Sequence, residues 1–293
     1  MGQESSVKAS TLLKANSLST AAIWCLRIVV VVQCIGVARW ALTVGTPVMS
    51  TLFNEQAVGG FQWSEEAAIA VDRTAGVCML LAAGFTMLRP CWWVLLPVAL
   101  WQGVLATAIW YQGGEAFSQI THFAHATRIV APLVLAIVAP WPRTFSFGRF
   151  TTPCAVTLLR WATAITFIAH GTEALGHNPH FVDLIFSTTV RWLHWTPNQQ
   201  VVEMVLTMIG IADIVVAVLL ITLRWRLVAG YMAFWGLITA FSRFTAFGPR
   251  ALHEVLIRAA NGGLPLVLYI YWSQPTLNKA NEKKPPTHKD STS

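Results

Sequence analysis

Apolar runs of about 20 residues recur along the whole chain, separated by short polar stretches. At 1.5 Å per residue, each is long enough to carry a helix through the ~30 Å hydrocarbon core of a bilayer. Eight runs predict eight spans: Ala21–Val44, Ala68–Met87, Trp92–Tyr111, Phe123–Val138, Ala155–Leu175, Val201–Thr222, Leu227–Phe244 and Leu252–Tyr271. Lipid offers backbone N–H and C=O groups no partners, so such spans fold as helices. The pattern predicts an all-α integral membrane protein in contact with the lipid bilayer.

One stretch departs from this background. From Ala155 to His177, the residues Thr163, Thr166, His170, Glu173 and His177 follow at steps of three, four, three and four. At ~100° per residue they share one face of a helix. A polar face is costly in lipid and must look into protein or a watery cavity. A second stripe, Glu254, Arg258 and Asn261 with His253 beside it, runs down the last span over the same depth. Counting rises along the helices places Arg160 ~8 Å above the cytoplasmic end of its span and Asp213 ~18 Å below the outer end of the next. That predicts an Arg160–Asp213 ion pair acting as a structural lock.

The chain also repeats itself. Leu26-Arg27 recurs as Leu159-Arg160, Gly76-Val77 as Gly210-Ile211, Leu88-Arg89 as Leu223-Arg224, and Trp101 as Trp235. Pro132-Leu133-Val134-Leu135 recurs as Pro265-Leu266-Val267-Leu268, and all five offsets lie between 133 and 135. Two units of four spans, an even number, must lie the same way up, as parallel repeats. The predicted organisation is an N-terminal segment over 1–20, one four-helix repeat over 21–142, a second over 153–273, and a disordered tail over 274–293. Thr121, His125 and Arg128 precede the last-span stripe of the second unit by 133 residues. The counterparts of the span-five stripe are Val30, Gln33, Val37, Trp40 and Val44, of which only Gln33 is comparably polar. The second unit is therefore expected to hold the polar site and the first to have lost it.

Composition agrees with a membrane protein. The chain has 293 residues, of which 55% are hydrophobic and 11% charged, and a mean hydropathy of +0.56. Its net charge of +7 lies in the tails and alternate loops. Lys8, Lys14, Arg89, Arg143, Arg149, Arg224, Arg226 and the tail lysines Lys279, Lys283, Lys284 and Lys289 fall on one side. Glu55, Glu65, Glu66, Glu115 and Asp183 fall on the other. This places both termini in the cytoplasm of a cell or inner-membrane protein, and without an aromatic-interleaved basic patch it excludes nucleic acid. The first apolar run reads as a retained span, and the myristoylation-like start Met1-Gly2-Gln3-Glu4-Ser5-Ser6 as coincidence. The outer loops Gly45–Glu66 and Gly176–Gln200 carry Trp63, Trp192 and Trp195, which suit segments at headgroup level. The five cysteines form no CxxC and read as small buried hydrophobes.

A cluster of His170, Glu173, Arg258 and Glu254 has the groups to hold a quinone headgroup, with Arg and Asn on its carbonyls and His or Glu delivering protons. It equally suits a proton relay or a small anion at Arg258, and helix–helix glue is the plain alternative. A haem between His170 and His125 lacks a diagnostic spacing, and a metal site is disfavoured because His170 and His177 lie two turns apart and acidic ligands are few.

Leu159-Arg160, His170-Gly171, Leu175 and Gly210-x-x-Asp213 with its apolar continuation resemble the DoxX-like family of four-helix membrane proteins, here as a tandem duplication. The family's Lys position holds Ala174, beside Glu173, and Asp213 stands where a Glu is usual. The resemblance implies a subunit of a quinone-linked oxidoreductase, working with redox or other membrane-complex partner subunits. On that reading His170 and Glu173 transfer protons, while Thr166, Glu254, Arg258 and Asn261 bind the substrate. A small-solute or proton transporter and a non-catalytic scaffold are the alternatives.

Overall fold

The computed structural model describes residues 18–55, 60–113, 116–139, 141 and 151–274. Their regular elements are all helical. The first half contains α1 (Thr20–Thr43), α2 (Pro47–Phe53), α3 (Glu65–Leu88), α4 (Trp92–Gln112), a 3-10 turn (Ser118–Ile120), α5 (Thr121–Ala124) and α6 (Ala126–Val138). The second contains α7 (Thr151–Leu175), α8 (Pro179–Leu193), α9 (Gln199–Leu223), α10 (Arg226–Phe247), a 3-10 turn (Gly248–Ala251), α11 (Leu252–Ile257) and α12 (Ala259–Trp272). The terminal segments, Glu115, Arg143, Arg149 and the tail lysines lie outside the described residues.

Seven helical segments are long and apolar enough to cross a membrane: Thr20–Phe53, Glu65–Leu88, Trp92–Gln112, Ser118–Val138, Thr151–Leu175, Gln199–Leu223 and Arg226–Ile257. The protein is thus an all-helical polytopic membrane protein. The eighth expected span, Leu252–Tyr271, is helical but interrupted. Arg258, at φ −83° and ψ 0°, separates α11 from α12, and His125, at φ −97° and ψ 3°, separates α5 from α6.

Side-chain caps set where several helices begin. Ser19, Ser64 and Asn198 accept N–H groups from the first turns of α1, α3 and α9, satisfying donors that have no intrahelical partner. The short helices α2 and α8 lie within the two Trp-rich loops. Each has Pro at its first position, behind Thr46 and Asn178 as caps. Asp72, buried on α3, anchors α2 by accepting the Thr46 N–H at 2.8 Å and its hydroxyl at 2.5 Å. The five cysteines are unbridged. Cys91, in the turn between α3 and α4, is held up in pKa by burial, against the opposing charge of Arg89.

The long helices associate in an ordered way. α1 packs on α3 and α7 on α9, while α4 packs on α6 and α10 on α12. The first helix of each half also packs on the broken helix of the other: α1 against α11 and α12, α7 against α5 and α6. The core at these crossings includes Leu26, Val30, Leu135, Leu159, Leu264 and Leu268. α7 and α9 meet backbone to backbone at Gly171 and Gly210. A Cβ on Gly171 would stand 2.9 Å from the Gly210 carbonyl oxygen, and one on Gly210 2.7 Å from that of Gly171. Small residues permit such close approach in a bilayer.

Candidate functional site

The two helix breaks face the polar stripe of α7, and that stripe divides among three tasks. Thr166 is buried and serves the broken helix. Its Oγ1 accepts the Thr127 N–H at 3.2 Å and donates to the Phe123 carbonyl at 3.3 Å. Those backbone groups are i and i−4, the pair an uninterrupted helix would have bonded directly. His177, past the end of α7 at φ 50°, turns aside to the Thr207 hydroxyl on α9 at 3.0 Å. Only His170 and Glu173 reach an open space.

That space is a chamber of about 720 Å³ at the end of the bundle that carries α2 and α8. His170 Nδ1 and Glu173 Oε2 lie 2.8 Å apart at its wall. On the other side of the ring, His170 Nε2 is 3.4 Å from Asn261 Nδ2. Asn261 Oδ1 in turn accepts the Thr127 hydroxyl at 2.8 Å, which ties α12 to α6. Glu254 and Arg258, one turn apart across the end of α11, pair at 3.1 Å, with His180 of α8 at 4.0 Å from the same carboxylate oxygen. Arg128, His125 and His253 complete the polar wall with Arg243 from α10.

A second chamber of about 170 Å³ adjoins the first, and its walls are mostly apolar. Phe167, Leu184, Ile185, Leu206, Ile209 and Ile238 supply most of that surface. His170, Phe181, Arg243 and Arg258 line both chambers. Asn261 and Asp213 face the apolar one.

Three expectations need correction. The Arg160–Asp213 pair does not form. Arg160 donates to the Ile221 carbonyl, eight residues or ~12 Å along α9 from Asp213. The Gly171–Gly210 crossing sets α7 and α9 out of step, so equal distances from their ends are not equal heights. Asp213 instead faces the Trp235 indole, and its Oδ1 has no partner. Thr166 does not line either chamber, because the helix break engages its hydroxyl. The first half is no bystander: Trp40, Ile109, Phe117, Thr121, His125 and Arg128 all line the larger chamber. Of the remaining expected site residues, His170, Glu173, Glu254 and Arg258 gather at that chamber, and Asn261 stands directly behind His170.

Sequence reasoning missed Arg243 and His180. Arg243 was legible as the one charged residue inside an otherwise apolar run at the end of span seven. His180 lies in the first turn of α8, behind the Asn178 cap, and carries no sequence signal. Among the described residues no group of three His, Cys, Asp or Glu side chains is placed to hold a metal ion. Compared with protein-family models, curated proteins and solved structures, the chain finds no match.

Proposed function

We propose that the chain is a tandem of two four-helix units lying the same way up, eight spans in all, with a ligand-binding chamber between their broken last helices. The matching order of elements supports the duplication, as do helix breaks at His125 and Arg258, positions equivalent in the two units. The reciprocal packing of α1 on α11 and α12 and of α7 on α5 and α6 does so as well. With the termini cytoplasmic, as the loop charges suggest, the chamber lies in the outer half of a cell or inner membrane.

One observation carries the binding reading. Polar groups that only join helices close upon one another, whereas these stand around a space of about 720 Å³. A water takes ~30 Å³ of liquid volume, so the chamber admits a small molecule with its hydration.

A quinone-linked DoxX-like role is the second reading, and one feature favours it. His170 is held between Glu173 and Asn261 while its ring lines both chambers. That is a suitable place from which to pass a proton to a headgroup oxygen.

The test is mass spectrometry of small molecules extracted from protein purified in mild detergent. A stoichiometric ligand is expected with the native chain, and its loss from His170→Ala and Arg258→Gln chains of unchanged helix content. A native chain with no bound molecule, and no stabilisation by any added quinone or small anion, would overturn the reading in favour of a scaffold.

A further inference from the structure

The chamber wall carries more positive than negative fixed charge. Arg128, Arg243 and Arg258 face it with only Glu173 and Glu254. Glu254 is engaged by Arg258 and Glu173 by His170. Arg128 and Arg243 therefore have no carboxylate within ion-pairing distance among the described residues. Both are nineteen-twentieths buried, at 5% exposure. Arg243 spends part of its guanidinium on the Thr239 carbonyl at 2.9 Å and the Ser242 hydroxyl at 3.3 Å, and lies 5.5 Å over the Phe181 ring. Arg128 Nε has no hydrogen-bond partner at all. Glu173 and Glu254 act on both arginines from beyond ion-pairing distance, and buried guanidinium groups with no carboxylate in contact are costly unless an anion completes them. Their planar forks match the paired oxygens of a phosphate or carboxylate.

The neighbouring chamber says what else the anion carries. Its 170 Å³ is close to an apolar cavity of ~150 Å³ known to take a benzene-sized guest. It begins at Arg243 and Arg258, where the charged chamber ends. It reaches Ile238, 41% exposed on the outside of α10, where α9 and α10 pack only lightly against each other. A chain seated there would pass from the arginines to the lipid between those two helices.

We propose that the ligand is an anionic amphiphile: a phosphate or carboxylate head held by Arg128, Arg243 and Arg258, with an alkyl or prenyl chain in the chamber lined by Phe167, Leu184, Leu206 and Ile238. This rests on the binding reading above and names its ligand class. The shared chemistry covers a membrane lipid's headgroup, a lipid-linked phosphate and a fatty acid. A free inorganic anion uses only the charged chamber.

Binding of three probes to the full chain in phosphatidylcholine nanodiscs tests this: decyl phosphate, inorganic phosphate, and decylubiquinone as a neutral head on the same length of chain. Decyl phosphate is expected to bind about tenfold or more tighter than either comparator. Arg243→Gln should weaken decyl phosphate by about tenfold and leave decylubiquinone unchanged, while Arg243→Lys retains part of the affinity. Leu184→Trp, which fills the apolar chamber, should weaken decyl phosphate and spare inorganic phosphate. Decanoate competing with decyl phosphate would assign the site to any acidic head; its failure to compete would narrow the head to phosphate. Should Arg243→Gln not fold, the ranking of the three probes on the native chain decides alone. Equal affinity for inorganic phosphate would overturn the amphiphile while keeping the chamber as a site. Preference for decylubiquinone would overturn the anion and favour the quinone reading. No binding of any probe would overturn both this proposal and the binding reading.

Discussion

The Thr166 hydroxyl completes a hydrogen bond inside a helix to which it does not belong, taking the Thr127 N–H at 3.2 Å and handing its own proton to the Phe123 carbonyl. The break at His125 is thus held open by a side chain inserted into the i→i−4 ladder, a recognised cause of helix kinks.

Replacing Thr166 by Val keeps the shape and removes both bonds. With the Thr127 N–H buried and left unpaired, Thr166→Val is expected to destabilise by about 1–3 kcal/mol, and Thr166→Ser by much less. Thermal unfolding in detergent, followed by circular dichroism, measures both. A Val variant as stable as the native chain would show that the break does not need the hydroxyl.

The Gly171–Gly210 crossing leads to a second expectation. Gly171→Ala places a methyl against the Gly210 carbonyl, with Ile214 also at 2.9 Å. Helices α7 and α9 must then move apart, at a cost of about 1–3 kcal/mol. Gly84 on α3 is the control, because nothing lies within 4 Å of a Cβ built there. Gly84→Ala should stabilise by about 0.5–1 kcal/mol through lost backbone freedom in the unfolded chain. The sign difference between the two glycines is the readout.

Arg160 and Asp213 sit about 12 Å apart in height on α7 and α9, so their mutations should not know of each other. Arg160→Met and Asp213→Asn are expected to add within ~0.5 kcal/mol in a double-mutant cycle. A larger coupling would restore the ion pair that the depth count suggested.

How that pair misled shows what the sequence can and cannot carry. Seven of the eight spans were legible because lipid demands some 20 apolar residues in register with its thickness, whatever the partners. The His170–Glu173 contact was legible too, since residues three apart on one helix are neighbours wherever that helix goes. Arg160 and Asp213 lie on different helices, and their relative height follows from where Gly171 meets Gly210. No count from helix ends contains that crossing. The share of the first half in the chamber was hidden for the same reason. Arg128 and His125 were visible as a stripe, but only the packing of α7 on α5 and α6 brings that stripe to His170. Thr166 sat on the correct face and in the wrong role, because its partner is a backbone break that periodicity does not register.

The Glu254–Arg258 pair offers the last expectation. The two groups are partly buried, at 25% and 20% side-chain exposure, and 3.1 Å apart. Removing Arg258 leaves the Glu254 carboxylate without its ion-pair partner, with His180 at 4.0 Å. Removing Glu254 leaves a third guanidinium, beside Arg128 and Arg243, with no carboxylate paired to it. Each single change therefore uncovers a charge, whereas the double change uncovers none within the pair. Arg258→Gln and Glu254→Gln are each expected to destabilise the ligand-free protein by about 1–3 kcal/mol, and the double variant by less than their sum. Of the two singles, Glu254→Gln should be the one rescued by an added anion, because it raises the positive excess of the chamber. Unfolding temperatures with and without 50 mM added phosphate, about the scale at which weak anion sites fill, separate the cases. Rescue of Arg258→Gln instead would mean that the anion acts elsewhere than on the chamber's positive excess, since an anion cannot neutralise the carboxylate this change uncovers.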